Sequence, residues 1–187
     1  MVANPERRVA LTDCGLEILG AEGSRALTHR AVDRAAAVAV GTTANYFPKR
    51  ADLFLAMTER VFALLAPDTR RLHELAHVPT TGATAEYAAY VTERLLARRH
   101  LAAALIELRL EAARSPEVGE VLAPFLRRGF ADDIAFHHER GLPGGADTVL
   151  LLHHVVNGIV LDAITVPLDL GAAPAETARQ AAQRLLG

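Results

Sequence analysis

Residues 9–22 place Leu11, Cys14, Ile18 and Leu19 at i, i+3, i+7 and i+8 with Glu17 opposite, the stripe of a helix with one buried face, and Gly23 supplies its stop. Thr28 is placed to cap a second helix over about 29–37, with Ala31, Val32, Ala35 and Ala36 facing inward and Arg30, Asp33 and Arg34 outward. A tight turn around 38–41 leads into a very short helix over 41–47. Pro48 separates it from a fourth helix that runs from about 49 to 65. Pro67, then Pro79 with Thr80, Thr81 and Gly82, break the next stretch into a short helix and a loop. Helical spacing resumes over 84–99, 100–114, 117–140 (with Pro124 inside it), 147–165 and 174–186. No segment alternates apolar and polar residues long enough for a strand. The pattern predicts an all-α chain of about nine helices: an N-terminal three-helix head over 1–53, and a larger helical domain over 54–187.

Composition narrows the class. Of 187 residues, 51% are hydrophobic, enough apolar surface to offset the entropy of ordering the chain. The apolar stretch 149–166 is interrupted by His153, His154, Asn157 and Asp162, each costly in hydrocarbon, and reads as a buried or interfacial helix with no role in a membrane. The first residues carry no apolar run of signal-peptide character, so the expected location is the cytoplasm. The single cysteine, Cys14, excludes an internal disulfide framework and reads as a small core residue. Net charge is −2, which argues against coating nucleic acid through bulk charge. Residues 1–50 nevertheless hold seven Arg and Lys against five Asp and Glu, leaving +2 there and −4 in the remainder.

Chemistry concentrates between Ala26 and Phe54. Two helices joined by so tight a turn cross steeply, which frees the second to enter a major groove. Thr42 and Thr43 offer hydroxyls and methyls, Asn45 suits the N6 and N7 of adenine, and Tyr46 can reach a base edge or a phosphate. Arg30, Lys49 and Arg50 stand where they could grip phosphates, and Thr28 opens a helix whose first N–H groups point outward. Without a stacking platform of aromatics, single-stranded RNA is a poorer partner than duplex DNA.

The run Gly23-Ser-Arg-Ala-Leu-Thr28, followed by Val38-Ala-Val-Gly41-Thr-Thr-Ala-Asn-Tyr46-Phe47-Pro48-Lys-Arg50-Ala-Asp-Leu53, resembles the DNA-binding signature of the TetR family over about a quarter of the chain. The resemblance implies phosphate contacts by Thr28, Arg30 and Arg50, recognition-helix contacts at Val40, Gly41, Thr42, Ala44, Asn45 and Tyr46, and core roles for Phe47 and Leu53. It departs from the family at Ala39, where a helix-capping serine is frequent, at Ala44, where tyrosine is usual, and at Tyr46, where histidine is common. Loss of the cap at Ala39 should cost about 1 kcal/mol locally.

Beyond residue 54 the motifs run out. The resemblance implies a small-molecule effector pocket and a homodimer built by the last long helices. Glu107, Arg109, His153, Asn157 and Asp162 are the polar residues expected at a pocket, and Val156, Ile159, Val160, Ala163 and Leu185 the apolar ones expected at a dimer interface, each with a plain core or surface role as its alternative. His137, His138, His153 and His154 lack metal-ligand spacing, since adjacent helical residues point about 100° apart. No metal, no cofactor and no catalysis are expected: nucleophile elbow, phosphate loop and paired zinc histidines are all missing. The leading expectation is a regulator, most simply a repressor released from a palindromic operator by its effector. The alternatives are an activator, or a helical ligand- or partner-binding protein without specific DNA affinity.

Overall fold

The computed structural model describes residues 4–168 and 171–186; residues 1–3, on which part of the reading of the N-terminus rests, lie outside it. Every regular element among the described residues is helical. The first four are α1 (Pro5–Glu22), α2 (His29–Ala35), α3 (Thr42–Tyr46) and α4 (Arg50–Leu64). Then come α5 (Thr69–Leu75), α6 (Thr80–Leu96), α7 (Arg99–Arg114), α8 (Pro116–Glu139), α9 (Gly145–Ile164) and α10 (Pro174–Leu186). The ten described helices stand beside an expected count of about nine, and the short α5 lies in the stretch where a short helix was expected. Asp68 explains the short α5, because its carboxylate accepts from the N–H groups of Arg70 and Arg71. α1 begins four residues earlier than its apolar stripe, capped by Asn4, which accepts from the Arg7 N–H, with Pro5 preset for the first turn.

The chain divides into two compact units. One comprises residues 1–65 and 100–126, the other 66–99 and 127–187. In the first, Leu11, Leu16 and Leu19 of α1, Val32 of α2, Phe47, and Leu53, Phe54, Met57 and Val61 of α4 form a core, all at most 2% exposed. α7 adds Leu101, Ala104 and Leu108, and α8 adds Val118 and Leu122. Gly20 sets the approach of α1 to the start of α7, since a Cβ there would lie 2.2 Å from the carbonyl oxygen of His100. Arg60 of α4 donates to both carboxylate oxygens of Asp13 on α1, at 2.7 and 2.9 Å. Cys14 is half-buried; burial, with Glu17 and Asp13, pushes its thiol up, away from the reactive thiolate.

Asp33 corrects the sequence reading of α2. It faces inward, 1% exposed, whereas Ala35, expected inside, faces solvent. Its main-chain carbonyl accepts from the Val38 N–H at 3.0 Å while Ala37 N–H reaches Arg34, the paired bonds of a Schellman ending, with Ala37 at φ 51° where glycine is usual. Its carboxylate accepts from the N–H of Gly41 and of Thr43, both at 2.7 Å, and from the Thr43 hydroxyl at 2.6 Å. The cap residue of α3 is Gly41 and not Ala39, and the Asp33 carboxylate reaching over from α2 takes the N–H groups there. Burial alone would raise the Asp33 carboxyl, but the Thr43 hydroxyl, the two N–H groups and nearby His29 outweigh it and hold the group below the ordinary carboxylate range.

In the second unit α10 packs chiefly on α6 and also on α9. Ala178 and Ala182, both fully buried, allow the close approach. Arg179 of α10 donates to both oxygens of Glu86 on α6, at 2.7 and 3.2 Å, and also to Glu176. These bonds raise its guanidinium pKa and lower the carboxyl of Glu86. Leu75, Ala83, Tyr87, Tyr90 and Leu142 form a buried cluster with Leu72, Val78 and Phe136 packed against it.

Two stability predictions follow from this packing. Gly20→Ala should destabilise the protein by roughly 3 kcal/mol or more, because backbone and not a yielding side chain blocks the new methyl; a urea titration measures it. Asp33→Ala should cost about 3 kcal/mol, since three donors lose their acceptor. A depressed carboxyl contributes fully above about pH 4 and loses its contribution as pH falls through the folded value. Thermal melts of wild type and Asp33→Asn should therefore differ at neutral pH and converge on acidification.

Candidate functional site

α3 is five residues long, too short to hold itself together, so its geometry is set from outside. Gly41 begins it at φ +93°, a conformation that favours glycine, with its N–H on Asp33. Thr43 is fully buried and its hydroxyl is committed to Asp33. Of the two adjacent threonines it therefore lies underneath α3, and Thr42, half-buried with its hydroxyl donating to the Ala39 carbonyl at 2.6 Å, remains at the surface. Ala44 and Asn45 are exposed, and Val40, 79% exposed, projects from the turn before them.

Around this face stand Thr28, Arg30 and Lys49, all exposed. Thr28 caps α2, its hydroxyl oxygen accepting from the Ala31 N–H at 3.1 Å. Lys49 precedes α4, where the Asp52 carboxylate accepts from its main-chain N–H at 2.9 Å and leaves the ammonium in solvent. Tyr46 is half-buried, and its hydroxyl oxygen accepts from the Asn4 N–H at 3.3 Å, so the phenolic proton remains to be donated. Arg50 is more engaged than expected. Its guanidinium donates to the carbonyls of Leu27 at 2.9 Å and Ser24 at 3.1 Å, meets Glu111 of α7 at 3.4 Å, and lies 4.9 Å from the Phe54 ring centroid. Its side chain stays 47% exposed.

The five polar residues expected at a pocket are divided between the units. Glu107, half-buried beside Gly23, and Arg109, exposed, belong to the first. His153, Asn157 and Asp162 belong to the second, all half-buried on α9. His153 meets the Phe130 ring edge-on at 5.5 Å, Asn157 donates to the His153 carbonyl, and Asp162 accepts from the Leu168 N–H at 3.3 Å. His137 is buried with Nε2 2.9 Å from the Pro143 carbonyl, and the described residues contain no group of three or more metal-ligating side chains. Sequence reading passed over a second set in this unit: Arg94 and Tyr87 of α6 and Asp133 of α8. Its signal is a guanidinium on the stripe Ala83, Tyr87, Tyr90, Arg94, otherwise the buried face of α6.

Val156, Val160 and Ala163, expected at a dimer interface, are buried within the unit, with Ile159 half-buried and Leu185 41% exposed. The exposed face of α9 is a different one: Leu151, His154, Gly158 and Leu161, at i, i+3, i+7 and i+10, with Leu150 beside it. By length and composition α9 could cross a membrane, with a mean hydropathy of 1.4. Its polar residues and its packing on α6 and α10 fit a helix of a folded protein instead.

Residues 79–187, more than half of the chain, match the family model described as the tetracyclin repressor-like C-terminal domain. Among curated proteins none matches the chain. Solved structures resemble it end to end. The multidrug binding protein EbrR complexed with ethidium is 27% identical, with a TM-score of 0.72 over 98% of this chain and 99% of that one. A TetR-family member, SCO1917 from Streptomyces coelicolor A3, is 25% identical, with a TM-score of 0.74 over 98% and 99%. A transcriptional regulator from Rhodococcus sp. Rha1, 21% identical with a TM-score of 0.74 over 98% and 96%, shares the fold. The matched domain and the whole-chain likeness to SCO1917 make this chain a member of the TetR family of transcriptional regulators.

Proposed function

We propose that the protein is a homodimeric repressor that reads a palindromic DNA operator with the exposed face of α3 and is released by a small-molecule effector bound in its helical C-terminal part. The carrying observation is the α3 surface: Val40, Thr42, Ala44 and Asn45 outward, Thr43 and Phe47 inward, and the whole fixed by Asp33. Such a face, flanked by Thr28, Arg30, Tyr46 and Lys49, has base-reading groups at its centre and phosphate-binding groups at its edges. Arg50 fits a supporting role, holding the loop before α2 while offering its free side to a phosphate. A single head this small binds weakly, and pairing two heads places half-sites about 34 Å apart. The exposed α9 stripe suits that pairing: it is apolar at Leu151 and Leu161, and a Cβ at Gly158 would meet nothing within 4 Å, so a partner helix can come close. The ethidium and imidazole complexes of EbrR support the effector half of the reading. Effector binding must favour the state unable to hold DNA; a 100-fold difference in affinity corresponds to about 2.7 kcal/mol of coupling.

The first experiment is selection of random duplexes on the purified protein, followed by salt titration of the winning sequence. An inverted repeat is expected, and sequence-blind binding that vanishes with salt would overturn the reading. On that operator Asn45→Ala or Thr42→Ala should lower preference for the cognate base by about tenfold. Lys49→Ala or Arg30→Ala should weaken all duplexes alike and reduce the salt slope by about one. Thr43→Val should lower thermal stability and leave base preference unchanged. Leu151→Glu should yield folded monomers in sedimentation with weakened operator binding, whereas Val156→Glu should disrupt folding.

A further inference from the structure

The inward face of α6 ends in a charge. Ala83, Tyr87 and Tyr90 are packed in the apolar cluster, and Arg94 follows them on the same stripe, its guanidinium carbon 5.6 Å from the Tyr90 ring centroid. Arg94 Nε and Nη1 are buried without an acceptor. The Tyr87 hydroxyl, two turns before Arg94, is also buried without a partner, while its ring meets that of Phe136 edge-on at 5.0 Å. Asp133 lies one turn before Phe136 on α8 and biases Arg94 through space. It is exposed on α8, and desolvation by the surrounding protein raises its carboxyl against the pull of Arg94. Burial likewise lowers the Arg94 pKa, against the opposing pull of Tyr90 and Asp133.

A guanidinium N–H can only donate, so what completes this cluster must bring acceptors; a cation or a hydrocarbon would leave the groups unmet. One positive charge with a carboxylate nearby suits a monoanion better than a dianionic phosphate. A planar carboxylate matches the guanidinium in shape, and the surrounding Tyr87, Tyr90 and Phe136 suit an aromatic body. We propose that Arg94 anchors the effector site and that its effector is an aromatic carboxylate, the acid against the guanidinium and the ring among Tyr87, Tyr90 and Phe136. The proposal rests on the effector-responsive reading above and names the chemistry of the ligand.

The test is calorimetric titration of the full-length protein with benzoate, phenylacetate and 1-naphthoate, each beside its carboxamide, and with the cationic dye ethidium. At least one acid should bind tenfold or more tightly than its amide, Arg94→Gln should abolish that difference, and Asp133→Asn, by removing a competing anion, should tighten the acid. Arg94→Met should leave the free protein as stable as wild type or more so in thermal melts, because a desolvated guanidinium with two buried N–H groups unmet is replaced by an apolar chain. Equal binding of acids and amides, binding of none of the acids, acid affinity indifferent to Arg94→Gln, or unfolding of both Arg94 variants would each overturn the proposal. Operator release is followed in parallel to separate the two readings. Acids that bind through Arg94 without releasing operator keep the carboxylate site but overturn its role as the effector site. Release by ethidium while no acid binds through Arg94 supports the repressor-effector reading and overturns the site.

Discussion

One carboxylate holds the head in working order. The main chain of Asp33 closes α2 and its side chain opens α3, so the turn between them is fixed at both ends by a single residue. α3 has too few residues to form by its own hydrogen bonds, and a nucleus that costs more than it returns must be stabilised from outside. The negative carboxylate at its N-terminus meets the first N–H groups and the positive end of the helix dipole together. Every outward side chain on α3 inherits its direction from that contact, including Asn45 and Thr42. The specificity proposed for this face therefore depends on a residue that touches no base.

The ties from the head to α7 differ in strength. Arg50 and Glu111 meet at 3.4 Å with the arginine side chain 47% exposed, a pair worth under about 1 kcal/mol. The two bonds from Arg50 to the carbonyls of Ser24 and Leu27 act on the loop before α2, where the acceptors have no helical partner. The firm connection is steric. Gly20 brings α1 close to the His100 carbonyl, and Leu101, Ala104 and Leu108 fill the space behind it. Between these elements, packing fixes position and the ion pair adds little.

Patterns that depend on local chemistry were legible in the sequence: the order of helices, the capping Thr28 and the exposed Asn45; the buried Phe47 and Leu53 followed from the family resemblance. Patterns that depend on a partner elsewhere in the chain were not. Asp33 looks like one more charge on a polar face until Thr43 and Gly41 fold back onto it, and the same contact takes Thr43 out of the exposed set. Arg50 looks like a free cation until the loop at Ser24–Leu27 comes within reach. The bonds to Ala39 and Asn4 likewise qualify Thr42 and Tyr46, whose residue types alone suggested unencumbered hydroxyls. Arg94 was readable in principle, because a guanidinium on a stripe of alanine and tyrosine is costly unless something answers it.

α9 shows why hydropathy could find the helix and miss its faces. Apolar residues surround it nearly all round, so the spacing that separates inside from outside in an amphipathic helix carries no contrast. Within the unit Leu152, Val156, Val160 and Ala163 are buried, leaving Leu151 and Leu161 on the surface, 50% and 45% exposed. A helix of this kind has two apolar faces with separate uses: one holds the unit together, and the other is stable in water only while it stays small or gains cover. His154 and Gly158 divide the outer stripe, one polar and one without a side chain, which limits its apolar area and admits a close neighbour. The imidazole of His154, more than the leucines, sets this face apart from a segment built for lipid, where it would be a cost.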